Sequence, residues 1–202
     1  KDHTNVATEK QNERHMSFAE MKSVLNKNKD TLSKLDFLTY ALYVYQEPLR
    51  ADYNAVKILT DKYNITDLDH NENYYSVKDN KFIMFEFKTN TIKQTANVFT
   101  APKDLQKLIT ASLSETPRQF LIYNENIGSV NKPVSANYLS HKIQAISKIL
   151  HNIPISINDI RHSYVEENNL DTKSYSQVKK SALKMGHSPE TANLIYKKTY
   201  NN

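Results

Sequence analysis

The sequence predicts a mainly α-helical fold with a small three-stranded antiparallel β-sheet inserted about a third of the way along the chain. Most of the 202 residues follow the helical period, with apolar side chains recurring every three or four positions. Between residues 73 and 101 the period shortens, in runs rich in β-branched and aromatic side chains. Residues 1–16 have few apolar positions, so we expect a disordered or artificially appended lead before one domain over residues 17–202.

The first helices are predicted from capping residues and from apolar spacing. Ser17 and Glu20 form a capping-box pattern, which predicts the start of a helix of about ten residues. Residues 31–47 carry enough apolar side chains to be buried on several sides, and this predicts the central helix. Pro48 interrupts the helical pattern, and residues 49–59 resume it.

Three strands and five further helices complete the predicted fold. The strands are the runs NYYSVK, KFIMFEFK and TANVFTA, separated by DN and by TNTIKQ. Helical spacing then returns in PKDLQKLITASL, SANYLSHKIQAISKIL, INDIRHSYVEENN, SYSQVKKSALKM and PETANLIYKKTY. The apolar run QFLIY has no decisive period, so its type stays open.

Composition restricts the classes of function. A net charge of +5 favours an anionic partner such as nucleic acid, although an ordinary basic surface gives the same value. The absence of cysteine excludes disulfides, thiolate metal sites and cysteine nucleophiles. The seven histidines do not cluster at metal-ligand spacing, so we expect no metal and no other cofactor. No apolar run approaches the roughly 20 residues of a membrane helix, and no secretory signal is visible, which predicts an intracellular protein without a membrane partner.

Cleavage of a phosphodiester by a tyrosine requires a recognisable set of side chains. Negative charge grows on the nonbridging oxygens toward the transition state, and arginine supplies donors in a fixed fork that can hold them. The departing sugar oxygen needs a proton, which a lysine or a histidine can give. The covalent phosphotyrosine conserves the energy of the bond, so that rejoining needs no ATP.

Five short motifs contain these residue types in a distinctive order. They are PLRADY with Arg50, FEFKTNTIK with Lys88, INDIRHSY with Arg161, MGHS with His187 and LIY with Tyr196. Gly186 suits a helix C-cap, and Tyr196 follows His187 by nine residues, so a bend between them is required if both contact one phosphate. Together the motifs resemble the catalytic domain of the tyrosine recombinase (phage integrase) family over about residues 18–200.

The resemblance implies a fold like that catalytic domain, a reaction, and roles for the motif residues. It implies a site-specific DNA recombinase or integrase that cleaves and rejoins DNA strands through a covalent 3′-phosphotyrosine, independently of metal and ATP. Arg50 and Arg161 would hold the scissile phosphate. Lys88 would be the general acid, and Tyr196 the nucleophile beside His187. The expected partners are double-stranded DNA and further copies of the chain, as a dimer or tetramer on the DNA.

Three more lysines are candidates for contacts to the DNA backbone. Lys197 and Lys198 directly follow the candidate nucleophile, and Lys93 lies in the segment after Lys88. Lys93 is also the alternative general acid. Taken singly, each motif residue also suits an ordinary structural role. Arg50 and Lys88 suit a solvated surface, Arg161 a salt bridge to Asp159 or Glu166, His187 a helix cap and Tyr196 a place in the core.

The chain departs from the family pattern at two positions. Asn158 stands where the family has the His of His-x-x-Arg, and an amide can hydrogen-bond a phosphate but cannot transfer a proton. Asp52 follows the first arginine by two positions instead of three. Two alternative functions stay open. A type IB topoisomerase, which relaxes DNA, shares this chemistry by resemblance, and Asn158 favours a DNA-binding relative that has lost its activity.

Overall fold

The computed structural model of the protein describes residues 9–86, 95–128 and 130–168, together with Gln177, Ala182 and Met185. In the three continuous ranges the helices are α1 (Glu9–Glu13), α2 (Phe18–Lys27), α3 (Lys34–Val44), α4 (Lys103–Glu115), α5 (Ala136–His151) and α6 (Ile157–Glu167). The strands are β1 (Val56–Leu59), β2 (Asn73–Ser76), β3 (Lys81–Met84) and β4 (Asn97–Thr100). None of the helices in these ranges is long and apolar enough to cross a membrane.

Serine hydroxyl groups fix the starts of four helices. Each accepts a hydrogen bond from a backbone N–H three residues further along, which satisfies a donor that the helix itself leaves unpaired. The four residues are Ser17, Ser33, Ser135 and Ser156. At α6 the capping box is complete, because the Asp159 carboxylate also accepts from the backbone N–H of Ser156 at 2.9 Å. This cap sets the start of the helix that carries Asn158 and Arg161.

The sheet differs from the prediction in the number and direction of its strands. It has four strands in the order β1-β2-β3-β4, with β1 parallel to β2 and the other two pairs antiparallel. The three predicted strands correspond to β2, β3 and β4. The helical interpretation of residues 49–59 is wrong, since Ala51–Ala55 forms a 3-10 turn and Val56–Leu59 is β1. Four residues are too few to establish a period, and pairing with a strand later in the chain decides their conformation.

The apolar run of undecided type, residues 119–123, lies against β1 on the side away from β2. The Ile58 N–H donates to the Gln119 carbonyl at 2.9 Å, and the Leu121 N–H donates to the Val56 carbonyl at 2.9 Å. Phe120 is therefore paired with β1 by an antiparallel bridge. The run is therefore not a strand: Phe120 alone forms a bridge, the residues beside it bend, and the segment covers the edge of the sheet at β1.

Helix α3 is the centre of the core, as the apolar character of residues 31–47 predicts. Nine of its 11 residues are buried, and they pack against α2, α4, α5 and the turn before β1. Tyr43 is fully buried, and its hydroxyl donates to the carbonyl of Arg50 at 2.9 Å. The core therefore holds the backbone of one candidate site residue directly.

Arg118 is a buried arginine without a carboxylate partner among the described residues. Its side chain lies at 9% relative exposure, and its guanidinium donates to backbone carbonyls at 2.9 to 3.1 Å. The acceptors belong to Ser112, Thr116, Phe120 and Leu121. Because these carbonyls lie at the end of α4 and in the segment beside β1, Arg118 joins the two parts of the chain.

Candidate functional site

Arg161 joins segments that are far apart in the sequence. It is fully buried, at 0% exposure, within α6. Its Nη1 donates to the Pro48 carbonyl at 2.9 Å, and its Nη2 donates to the Met185 carbonyl at 3.2 Å. Pro48 precedes Arg50 by two positions, and Met185 directly precedes the Gly-His motif. One guanidinium therefore contacts the segments that carry two of the other motifs.

Arg50 stands at the start of the 3-10 turn Ala51–Ala55, with extended backbone at φ −70° and ψ −151°. The sequence pattern places it on a helical segment, and this assignment is wrong, because its backbone is extended and a 3-10 turn follows. Its side chain is partly exposed, in contrast to the buried side chain of Arg161. Of the two arginines, Arg50 is therefore the one that solvent or a ligand can reach.

Asp52 carries a negative charge that both arginines influence. Burial raises the pKa of the Asp52 carboxyl, and the guanidinium groups of Arg161 and Arg50 oppose that rise. The Oδ2 atom of this carboxyl is buried and has no hydrogen-bond partner among the residues that the structure describes. Asp52 is the acidic residue that the sequence pattern places one position earlier than in the family. The structure brings it close enough to the two arginines to affect its ionisation.

The variant Asp52→Asn should gain stability relative to the wild type as the pH rises. Folding raises the pKa of Asp52, so the folded state binds this proton more tightly than the unfolded state. The stability that this protonated carboxyl contributes is then lost as the pH rises from the ordinary pKa of 3.8 through the raised pKa of the folded state. Asparagine has no titrating carboxyl, so the difference in Tm, variant minus wild type, should increase between about pH 4 and about pH 7 in thermal unfolding.

Asp69→Asn is the control for the sign of this effect. Hydrogen bonds from the backbone and side chain of Asn71 lower the pKa of Asp69, so its carboxylate stabilises the fold above the ordinary pKa. The Tm difference for this variant should therefore fall as the pH rises toward about 4 and stay nearly constant between about pH 4 and about pH 7. A Tm difference for Asp52→Asn that does not change over this pH range would contradict the prediction.

Asn158 occupies the first turn of α6, and its side chain is exposed. It lies three positions before Arg161, whose side chain is buried. The neighbouring Asp159 is committed to the helix cap, because its Oδ2 accepts from both the N–H and the hydroxyl of Ser156, at 2.9 and 2.7 Å. Asn158 therefore presents an exposed amide in the first turn of α6.

Asn73 connects the segment that carries Arg50 and Asp52, here called the arginine segment, to the end of β3. Its Oδ1 accepts from the Glu86 N–H at 2.9 Å, and its Nδ2 donates to the carbonyls of Glu86 at 2.9 Å and of Asp52 at 3.3 Å. Sequence reasoning did not select this residue. The only signal was a polar amide at the first position of a strand whose other residues are mostly aromatic, which by itself is weak.

Six of the candidate residues lie outside the described part of the chain, namely Lys88, Lys93, His187, Tyr196, Lys197 and Lys198. Two described residues stand next to these motifs in the sequence. Glu86 precedes Lys88 by two positions and is bound by Asn73, while Met185 precedes His187 by two and is bound by Arg161. The described residues therefore place the approaches to both motifs beside the arginine segment.

Comparison with known proteins identifies a similar fold. No family model and no curated protein matches the sequence. The structure is similar to the crystal structure of XerA recombinase, with a TM-score of 0.62 and 12% sequence identity over 98% of this chain. The chain spans 61% of the length of that recombinase. At this level of identity the similarity establishes a common fold.

Proposed function

We propose that this protein is a site-specific recombinase or integrase that cleaves and rejoins double-stranded DNA through a covalent 3′-phosphotyrosine. The observation that carries the proposal is the pair of hydrogen bonds from Arg161, to Pro48 in the Arg50 motif and to Met185 beside the Gly-His motif. Three motifs that the chemistry requires together thus meet at one guanidinium. The similarity of the fold to that of XerA recombinase supports the same function.

The proposed reaction exchanges one phosphate ester for another. The phenolic oxygen of Tyr196 attacks the scissile phosphorus, and the bond from phosphorus to the 5′ oxygen breaks. Lys88 gives a proton to the departing oxygen, which leaves as a 5′-hydroxyl. The proton of the phenol passes to His187 or to water, because the amide of Asn158 cannot accept it. The same steps in reverse rejoin a strand, with no external source of energy.

The two arginines have different environments and therefore different parts in the proposed reaction. Arg50 is partly exposed and can donate directly to the nonbridging oxygens of the phosphate. Arg161 is buried, and it contributes a fixed positive charge behind the site. Their common effect on the Asp52 carboxyl supports our expectation that the guanidinium groups lie within about 8 Å of each other. Contacts of the DNA backbone with Lys93, Lys197 and Lys198, and assembly on DNA as a dimer or tetramer, belong to the same proposal.

A DNA-binding relative without catalytic activity is the second candidate function. The observation in its favour is the exposed amide of Asn158, at the position where the family pattern has a histidine. An amide keeps a hydrogen bond to phosphate and loses proton transfer. Such a protein would retain the arginine contacts and their affinity for DNA.

A suicide substrate separates these functions. A pool of nicked duplexes of random sequence, incubated with the protein in EDTA and without ATP, should yield a covalent protein–DNA adduct on a denaturing gel. The nick lets the cleaved fragment diffuse away, so the intermediate accumulates. Binding of the pool without an adduct would identify the inactive relative. Relaxation of a supercoiled plasmid without strand exchange would instead indicate a topoisomerase. If the protein shows no binding to the pool and forms no adduct, the proposal is overturned.

A further inference from the structure

Asn73 stands at the junction of two candidate motifs. It is the first residue of β2, and the strand register pairs it with the first residue of β1 and with the last residue of β3. The turn before β1 contains Asp52, and the chain that leaves β3 passes through Glu86 toward Lys88. The side chain of Asn73 therefore lies where the approach to β1 meets the exit from β3.

The amide of Asn73 uses both its acceptor and its donors at this junction. The bond from the Glu86 N–H to Oδ1 and the bond from Nδ2 to the Glu86 carbonyl are both 2.9 Å long. Together they reproduce the pair of hydrogen bonds that an antiparallel partner strand would make, beyond the last residue of the β3 ladder. The bond from Nδ2 to the Asp52 carbonyl, at 3.3 Å, ties the same amide to the arginine segment.

No other kind of side chain of this size supplies these three bonds. A carboxylate lacks the donors, and an aliphatic side chain lacks both donors and acceptors. Asn73 is only 6% exposed, so water has little access to replace the missing partners. The position of Glu86 relative to Asp52 therefore depends on this amide.

We propose that Asn73 is a positioning residue for the transfer of a proton from Lys88 to the leaving oxygen. Lys88 follows Glu86 by two residues, and two residues of chain span at most roughly 7 Å, so the proposal depends on the position of Glu86. Asn73 fixes that position against Asp52, two residues from Arg50. The inference rests on the proposed function, because Lys88 transfers a proton only if the protein cleaves DNA.

The test compares two forms of the substrate selected from the random pool, one with a 5′-bridging oxygen and one with a 5′-bridging sulfur. A thiolate leaves without a proton, because thiols are far more acidic than alcohols, and its departure does not need Lys88. In single-turnover cleavage, Asn73→Leu should be slower than wild type by about 10²-fold on the oxygen substrate. On the sulfur substrate it should cleave at the wild-type rate.

Two further variants separate positioning from loss of structure. Asn73→Asp keeps the shape and the acceptor and removes both donations, so it should give the same pattern even if Asn73→Leu folds poorly. Asn28→Ala removes one bond from a side chain to a backbone carbonyl, at the end of α2, where the Asn28 Nδ2 donates to the Val24 carbonyl at 2.9 Å. This control should cleave both substrates as the wild type does.

Each result either supports or overturns the role of Asn73. If both Asn73 variants cleave the sulfur substrate as slowly as the oxygen substrate, the proposed role of Asn73 is overturned, because the defect then does not lie in proton transfer. Wild-type rates on both substrates would also overturn it. If the wild-type protein forms no adduct, the proposed function itself is overturned. This result differs from the other two, in which the wild type cleaves DNA and only the role of Asn73 fails.

Discussion

Replacement of Tyr196 by phenylalanine should abolish the covalent protein–DNA adduct and leave DNA affinity nearly unchanged. The phenolic oxygen is the atom that the proposed reaction joins to phosphorus, and phenylalanine lacks it. Affinity for DNA comes mainly from contacts between cationic side chains and the phosphates, which this substitution does not alter. The expected result is therefore a complete loss of the covalent adduct with an almost unchanged affinity for DNA.

Tyr196 is preferred to Tyr200 because of its place in the sequence. It follows His187 by nine residues, as in the family that the chain resembles. A phenol has a pKa near 10 in water and is a poor nucleophile at neutral pH, so nearby cations must stabilise the phenolate. Arg50, Arg161 and His187 are the candidates for that stabilisation.

The measurement pairs a denaturing gel for the adduct with fluorescence anisotropy for affinity, at one salt concentration. Tyr200→Phe is the matched control, and it should form as much adduct as the wild type. If the adduct persists in Tyr196→Phe and peptide mapping places it on Tyr200, Tyr196 is not the nucleophile, while the proposed reaction stands.

Replacement of Arg161 by lysine should have the second-largest effect, on both cleavage and stability. A lysine ammonium keeps the charge but cannot reproduce the planar fork that spans the carbonyls of Pro48 and Met185. Each buried carbonyl left without a donor costs about 1–3 kcal/mol of the free energy of unfolding. The two lost bonds hold the segments that lead into the Arg50 motif and the Gly-His motif, and a displacement of catalytic groups by about 1 Å lowers a rate by about 10²-fold. We expect single-turnover cleavage to fall by that factor.

Arg118→Lys provides the control for the structural part of the effect. Arg118 is also buried and also donates to backbone carbonyls, but it lies in none of the candidate motifs. Both variants should therefore lose stability in urea unfolding, whereas only Arg161→Lys should cleave slowly per folded molecule. If the two variants cleave equally fast under conditions where both are folded, Arg161 has a structural role alone.

Local patterns in the sequence were sufficient for most of the helices. The hydroxyl of Ser17 and the capping box of Ser156 and Asp159 act within three residues, so the sequence contains all the partners that these helix starts need. The apolar character of residues 31–47 likewise predicts the buried helix α3, because burial on several sides requires apolar side chains on several sides. The fold class was correct in its helical part for this reason.

The fourth strand and its direction depended on the tertiary structure. Val56–Leu59 is a strand because β2 pairs with it on one side and the Phe120 segment pairs with it on the other. Neither partner lies within the range over which a local period can be recognised. The sequence therefore predicted three antiparallel strands where the protein has a mixed sheet of four.

For the candidate site, the sequence by itself determined which residue types are present and their order, and this order carried the resemblance to the recombinase family. Only the tertiary structure decided that Arg161 is buried and that its guanidinium binds the carbonyls of Pro48 and Met185. These contacts span 113 and 24 residues of chain. The same holds for Asn73, whose bond to the Asp52 carbonyl spans 21 residues. A backbone carbonyl belongs to every residue, so no sequence motif marks which carbonyl a distant side chain will bind, and only the packing of the whole chain selects it.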